Sequence, residues 1–155
     1  MRAVIQRVSS ARVSVGGEAI GAIGVGLLVL LGVGRDDSPD DTAYIVDKIT
    51  NLRIFPDADG RFDRSVLDVS RALLVVSQFT LYASTRKGRR PSFTEASSSV
   101  NAKPLFENLV SAFRKSGLDV HTGVFGAYMR VQIENSGPTT IILDTADRRA
   151  PRHKS

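Results

Sequence analysis

Val25 to Val33 reads Val-Gly-Leu-Leu-Val-Leu-Leu-Gly-Val, with no polar side chain on either face of a strand. A run of this kind survives in water only as a central strand covered on both sides. It therefore demands a sheet with material packed above and below. A second apolar run, Leu73-Leu74-Val75-Val76, also reads as a buried strand. It continues into Ser77-Gln78-Phe79-Thr80-Leu81-Tyr82, where polar residues occupy positions the pattern would allow to be apolar. The strand is expected to run through Leu81. Four residues after Tyr82 begins the basic block Arg86-Lys87-Gly88-Arg89-Arg90. A rigid strand ending in polar groups beside a basic loop can hold a phosphate-bearing molecule. The plainer alternative is a strand whose polar residues face water.

The remaining chain supplies partners for these strands. Met1 to Val8 and Ser10 to Val15 read as strands. Gly16-Gly17 suits a two-residue turn with φ > 0, so Glu18 to Ile23 should pair back as a hairpin. Ser38-Pro39-Asp40-Asp41 starts a helix, with Ser38 as cap and aspartates at the positive end of the dipole. Ile45, Ile49 and Leu52 form its apolar stripe. Arg53-Ile54-Phe55 reads as a short strand and Pro56 to Gly60 as a turn. Ser97 to Ser99 reads as a polar linker, followed by a helix over Asn101 to Lys115 that Gly117 stops. That helix should face inward through Ala102, Leu105, Leu109, Ala112 and Phe113. Asp119 to Gly123, Tyr128 to Glu134 and Thr139 to Leu143 read as strands, the last two separated by Asn135-Ser136-Gly137-Pro138. The sum is an α+β fold, a mostly antiparallel β-sheet domain with two main helices.

A chain of 155 residues can bury a real core as one domain. Its expected extent is 1–145, with 146–155 as a basic, disordered tail. No apolar run approaches the ~18 residues a membrane span needs, and the N-terminal residues lack a signal-peptide pattern. The absence of cysteine agrees with a reducing compartment. A cytoplasmic location is expected. The net charge of +5 is concentrated in Arg86–Arg90 and in Arg148, Arg149, Arg152 and Lys154, leaving the body slightly acidic. That distribution suits contact with a polyanion; its plain alternative is a solubilising loop and tail.

Much chemistry is excluded by count. With two histidines, His121 and His153, and no nucleophile elbow, a Ser-His-Asp triad has no support. A zinc site of cysteine and histidine cannot be assembled. The aspartates of Pro56 to Gly60 lack calcium-hand spacing, and no glycine-rich phosphate loop follows a strand. No metal and no cofactor are expected. Catalysis, if present, must rest on backbone N–H groups, hydroxyls and the substrate itself.

These residues together resemble one family, the D-aminoacyl-tRNA deacylases, almost from end to end. The resemblance is carried by Ser77-Gln78-Phe79-Thr80-Leu81 and by Gly137-Pro138 in Asn135-Ser136-Gly137-Pro138-Thr139-Thr140. Supporting stretches are Ile5-Gln6-Arg7-Val8, Asn51 to Phe55, Thr85 to Phe93, and Phe125-Gly126-Ala127 with Met129. The chain departs from the family pattern at Arg61-Phe62-Asp63 and at Thr139.

The resemblance implies a carboxylic ester hydrolase that removes D-amino acids, and also glycine, from tRNA. It implies a homodimer in which a cis Gly137-Pro138 bond reaches the partner's active site. There its carbonyls would crowd an L side chain, giving chiral proofreading. Arg7 would steady that segment. Ser77, Gln78, Phe79 and Thr80 would form the catalytic turn, and Phe125, Gly126 and Met129 the pocket wall. Thr80 as nucleophile would need an adjacent base, and the sequence offers none. The 2′-OH of the terminal ribose is the preferred aid to the attacking water. Arg86, Lys87, Arg89 and Arg90 would meet acceptor-stem phosphates. Two rival classes remain: a non-catalytic RNA-binding module, and a small-ester hydrolase with a conventional nucleophile.

Overall fold

The computed structural model describes residues 1–149. Strand β1 (Arg2–Val15) is the axis of the sheet. Along one edge it pairs antiparallel first with β3 (Gly26–Gly32) and then with β2 (Glu18–Ile23); along the other it pairs with β8 (Arg130–Asp144). Beyond β3 lie β6 (Ala72–Ser77) and β7 (Val120–Thr122), both joined in parallel. Gly16 and Gly17 both have positive φ, +59° and +92°, the geometry that suits the tight β1–β2 hairpin. A small separate hairpin is formed by β4 (Phe55–Pro56) and β5 (Phe62–Arg64).

The doubly apolar runs are explained by two cores. Leu27, Val29, Leu31, Leu73 and Val75 point to one side, where they join Ile45, Ile49, Leu109 and Phe113 of the helices. Leu28, Leu74 and Val76 point to the other, against Val8, Val13 and Ile23. The sheet curls so that β2 closes over β6 and β7: a Cβ on Gly21 would lie 2.9 Å from the Thr122 carbonyl oxygen. Each fully buried aliphatic side chain is worth about 1.5–3 kcal/mol, so both faces of β3 and β6 are held.

Helix α1 (Pro39–Asn51) starts where Ser38 and Pro39 direct it; the Ser38 N–H and hydroxyl donate to the Asp41 carboxylate at 3.0 and 2.8 Å. Helix α2 (Ser99–Lys115) starts inside the expected linker, because the Ser98 hydroxyl caps the Asn101 N–H. Its buried stripe is Ala102, Phe106, Leu109, Val110 and Phe113, with Leu105 and Ala112 half-buried and Leu105 packed against the same core.

Three further expectations are corrected. The strands expected over Tyr128 to Glu134 and Thr139 to Leu143 are one strand, β8, whose irregular pairing opposite Gln6 to Ser10 absorbs Gly137 and Pro138. The described peptide bonds are all trans, Gly137–Pro138 included, so the expected cis bond is not found. Trans is the form an X-Pro bond prefers by about 0.5–1 kcal/mol. Residues 146–149, expected in the disordered tail, are ordered. Thr145–Arg149 form a 3₁₀ turn, and the Arg148 guanidinium stands 3.5 Å from the Asp41 carboxylate and 5.5 Å from the centre of the Tyr44 ring. The rest of the expected tail, 150–155 with His153, lies outside the described residues. Among the described residues no helix is long and apolar enough to cross a membrane.

Candidate active site

Ser77 is the last residue of β6 and pairs with Leu31 of β3. The Gln78 N–H still donates to the Leu31 carbonyl at 2.7 Å. There the expected strand ends, and Phe79–Tyr82 form a single 3₁₀ turn instead. Contacts from distant parts of the chain dictate this break. Gly32 and Gly34 leave room for the turn: a Cβ on Gly32 would stand 2.9 Å from the Gln78 carbonyl oxygen, and one on Gly34 would stand 2.6 Å from the Tyr82 hydroxyl. Arg2 then ties the turn down. Its guanidinium donates to the Leu81 carbonyl at 3.2 Å and to the Asp144 carboxylate at 2.8 Å, and lies 4.5 Å from the centre of the Tyr82 ring.

The electrostatics of this brace are consistent with its geometry. The hydrogen bond that Arg2 donates to Asp144 raises the Arg2 pKa. Burial pushes the Asp144 carboxyl up, but the Ala146 N–H and Arg2 outweigh it and hold it below the ordinary value. Burial, with Asp37 and Asp144 nearby, drives the Tyr82 phenol far above its usual pKa, so it remains a neutral donor toward Asp37 at 3.4 Å.

A short 3₁₀ turn leaves its first N–H groups without internal acceptors. The Leu81 N–H donates to Gln78 and the Ala83 N–H to Thr80. The N–H groups of Phe79 and Thr80 have no acceptor among the described residues. Both residues line a cavity of about 640 Å³. The Gln78 side-chain amide donates to the Thr80 hydroxyl, so that hydroxyl faces an amide and not a base. His121 is occupied elsewhere, 3.2 Å from Asp119. Among the described residues no three acidic or histidine side chains converge as metal ligands.

The same cavity gathers Ser77, Gln78, Phe79, Thr80, Phe125, Gly126 and Met129. Its wall also includes Phe106, whose ring centre lies 5.7 Å from that of Phe125, and Tyr128, which is 96% exposed at the rim. Neither was among the candidates. Phe106 stands four residues after Ala102 on the same helical face, a spacing that could have marked it; nothing local marks Tyr128.

Two groups of candidates stand apart from the cavity wall. Arg86, Lys87, Arg89 and Arg90 lie on an exposed loop, closed at its base by reciprocal hydrogen bonds between Ser84 and Ser92 at 2.7 and 2.9 Å. Phe93, next to that base, meets the exposed ring of Phe79 edge-on at 5.1 Å. The loop is thus attached to the cavity rim. Gly137 and Pro138 are not part of the cavity of their own chain. They sit on β8 beside Arg7, which donates to the Ser136 carbonyl at 3.3 Å and the Ile54 carbonyl at 2.6 Å. Gly137 has φ +120°, and a Cβ there would stand 2.7 Å from Arg7 Nη2, so this position requires glycine. Asn135 closes the segment by accepting the Thr139 N–H at 2.9 Å and donating to the Thr140 hydroxyl at 3.1 Å.

The family model described as D-Tyr-tRNA(Tyr) deacylase matches residues 4–144. A D-aminoacyl-tRNA deacylase of Roseiflexus sp. (strain RS-1) is 54% identical, covering 99% of both chains. Another of that name, from Thermus aquaticus, is 53% identical over 96% of this chain and 97% of its own. A solved structure described as c-Myc DNA Unwinding Element Binding Protein superimposes with a TM-score of 0.88 at 43% identity, covering 93% of this chain and 98% of the other. With a match from residue 4 to residue 144 and relatives above half identity over nearly their whole length, the chain belongs to the D-Tyr-tRNA(Tyr) deacylase family.

Proposed function

We propose that the chain hydrolyses the ester of D-aminoacyl-tRNA, releasing free tRNA and the D-amino acid. The observation that carries this reading is the cavity at the end of β6, where the Phe79 and Thr80 N–H groups have no acceptor among the described residues. Water attacks the ester carbonyl carbon, negative charge collects on its oxygen, and the bond to the terminal ribose then breaks. A backbone donor held at that oxygen is worth about 3–4 kcal/mol. Ser77 and Gln78 orient the terminal nucleotide beside those donors. Thr80, held by Gln78 and without a base, is not the nucleophile; the ribose 2′-OH assists the water, and the enzyme contributes orientation. Phe125, Gly126 and Met129 form the wall.

The chain works as a homodimer. β8 is an edge strand of fifteen residues that exposes Ile133 and Ile142, the latter 75% accessible, and a long apolar edge calls for a partner. A two-fold pair lets each Gly137-Pro138 segment, steadied by Arg7, enter the other subunit's cavity. Its backbone carbonyls have no rotamer by which to yield, so they crowd an L side chain and admit a D one. Glycyl-tRNA passes the same filter because glycine has no side chain. Arg86, Lys87, Arg89 and Arg90 hold the acceptor stem through phosphates, which carry no base readout and suit many tRNAs. The reaction belongs in the cytoplasm, where charged tRNA is used.

A non-catalytic nucleic-acid-binding role is the second reading, favoured by the basic loop. Incubating D-Tyr-tRNA with the purified chain separates the two. Release of free D-tyrosine, with salt weakening the apparent affinity steeply, supports the hydrolase. Retention of tRNA with the ester intact leaves the binding role.

A further inference from the structure

Phe62 is a phenylalanine on a surface hairpin, 56% exposed, and its ring is nonetheless engaged. The Arg7 guanidinium lies over it, 5.5 Å from the ring centre. That same guanidinium donates to Ile54 at the root of the β4–β5 hairpin and to Ser136 immediately before Gly137. Its Nη2 faces Gly137, 2.7 Å from where a Cβ on that residue would stand. A guanidinium is a flat fork. Here it is tied to two carbonyls and lies over the ring.

The hairpin that presents this ring is itself anchored. Phe55 is buried, and the Asp57 carboxylate accepts the N–H groups of Asp59 and Arg61, each at 2.9 Å. Arg53 and Asp63 pair across it at 3.4 Å. A braced arm therefore reaches from the core to Arg7, one of the side chains that hold the Gly137-Pro138 segment.

We propose that Phe62, acting through Arg7, is a positioning residue that sets where the Gly137-Pro138 segment stands and so tunes discrimination between D and L substrates. The inference rests on the filter role proposed above for that segment. Removing the ring leaves Arg7 free to swing with its carbonyl partners, and the carbonyl wall loses its fixed place.

The test compares hydrolysis of D-Tyr-tRNA and L-Tyr-tRNA by the parent protein, Pro138→Ala, Phe62→Ala, Phe62→Leu and Phe62→Tyr. Leucine keeps apolar bulk without a π face; tyrosine keeps the face. Phe62→Ala and Phe62→Leu should raise the L-to-D rate ratio roughly two- to fivefold, the range of an exposed cation–π contact. Phe62→Tyr should hold the parental ratio, and kcat and KM for the D substrate should stay at parental values in all three. A leucine variant with the parental ratio, alongside a Pro138→Ala protein that leaks L substrate, overturns the role of Phe62 while leaving the filter standing. A Pro138→Ala protein that leaks nothing overturns the filter, and the role of Phe62 with it.

Discussion

The cavity at the end of β6 and the segment around Gly137-Pro138 are held by different means. The cavity is framed by the central strands and α2, with Phe106 and Ala102 buried in its wall. Its candidate polar groups are backbone N–H groups fixed by the 3₁₀ turn. The Gly137-Pro138 segment lies on an edge strand with little core beneath it. Side chains hold it instead: Arg7 from β1, Asn135 from its own strand, and Gln6, which donates to Thr140 at 3.2 Å. The difference follows from the proposed tasks. Stabilising a developing charge needs dipoles that do not reorganise, which a packed core supplies. A filter that must enter another subunit has to stand outside its own core, so it depends on polar clamps that are individually weak.

Substitutions can break this contrast at either end. Phe106→Ala should have the largest effect. It removes a buried ring from the cavity wall and should cost about 3–5 kcal/mol, read as a lower urea midpoint, with slower D-Tyr-tRNA hydrolysis and no change in the L-to-D ratio. Gly32→Ala should come next. Its methyl group would press on the Gln78 carbonyl and Leu81, costing about 1–3 kcal/mol in stability. The displaced turn should lower kcat by about tenfold, the equivalent of 1.4 kcal/mol of lost alignment. Asn135→Ala acts at the other end. It frees the Thr139 N–H and should cost about 1 kcal/mol, but its signature is a raised L-to-D ratio. An unchanged ratio there, or a raised one in Phe106→Ala, would erase the division between the two regions.

The smallest effect is on pH dependence. The folded Asp144 carboxyl titrates below its unfolded value. Its contribution is therefore present above the unfolded pKa near 3.9 and is lost as pH falls through the folded value. Arg2→Ala removes the partner, so the gap in urea midpoint between parent and variant should be constant from neutral pH down to about 5 and shrink below about 4. Asp41, Asp57 and Asp68 are also held low, which makes this difference the proper readout. A partly exposed pair is worth at most about 1 kcal/mol.

Much of this architecture was legible in the residues. Val25 to Val33 and Leu73 to Val76 announce strands apolar on both faces, and the two cores on either side of β3 and β6 meet that demand. Gly16-Gly17 and Ser38-Pro39 state a turn and a helix start within a few residues, so local chemistry suffices. The end of β6 was not legible, because Ser77 to Leu81 are compatible with a strand. The break is made by Gly32, Gly34 and Arg2, which are remote in sequence. The continuity of β8 through Pro138 was hidden for a similar reason, since irregular pairing with β1 accommodates it. At the site, the Ser77–Thr80 candidates and the wall residues Phe125, Gly126 and Met129 do share one cavity. Phe106 was missed because the helix stripe is wider than a narrow periodic reading, covering Val110 as well. Tyr128 was missed because an exposed rim residue carries no pattern at all.

The central claim is that one cavity performs ester hydrolysis while a segment from the other subunit enforces chirality. The most direct measurement is hydrolysis of D-Tyr-tRNA and L-Tyr-tRNA, prepared on the same tRNA, by the parent protein in parallel. The account predicts rapid loss of the D ester and at least a roughly hundredfold slower loss of the L ester, a gap of about 2.8 kcal/mol. Equal loss of both esters would contradict it.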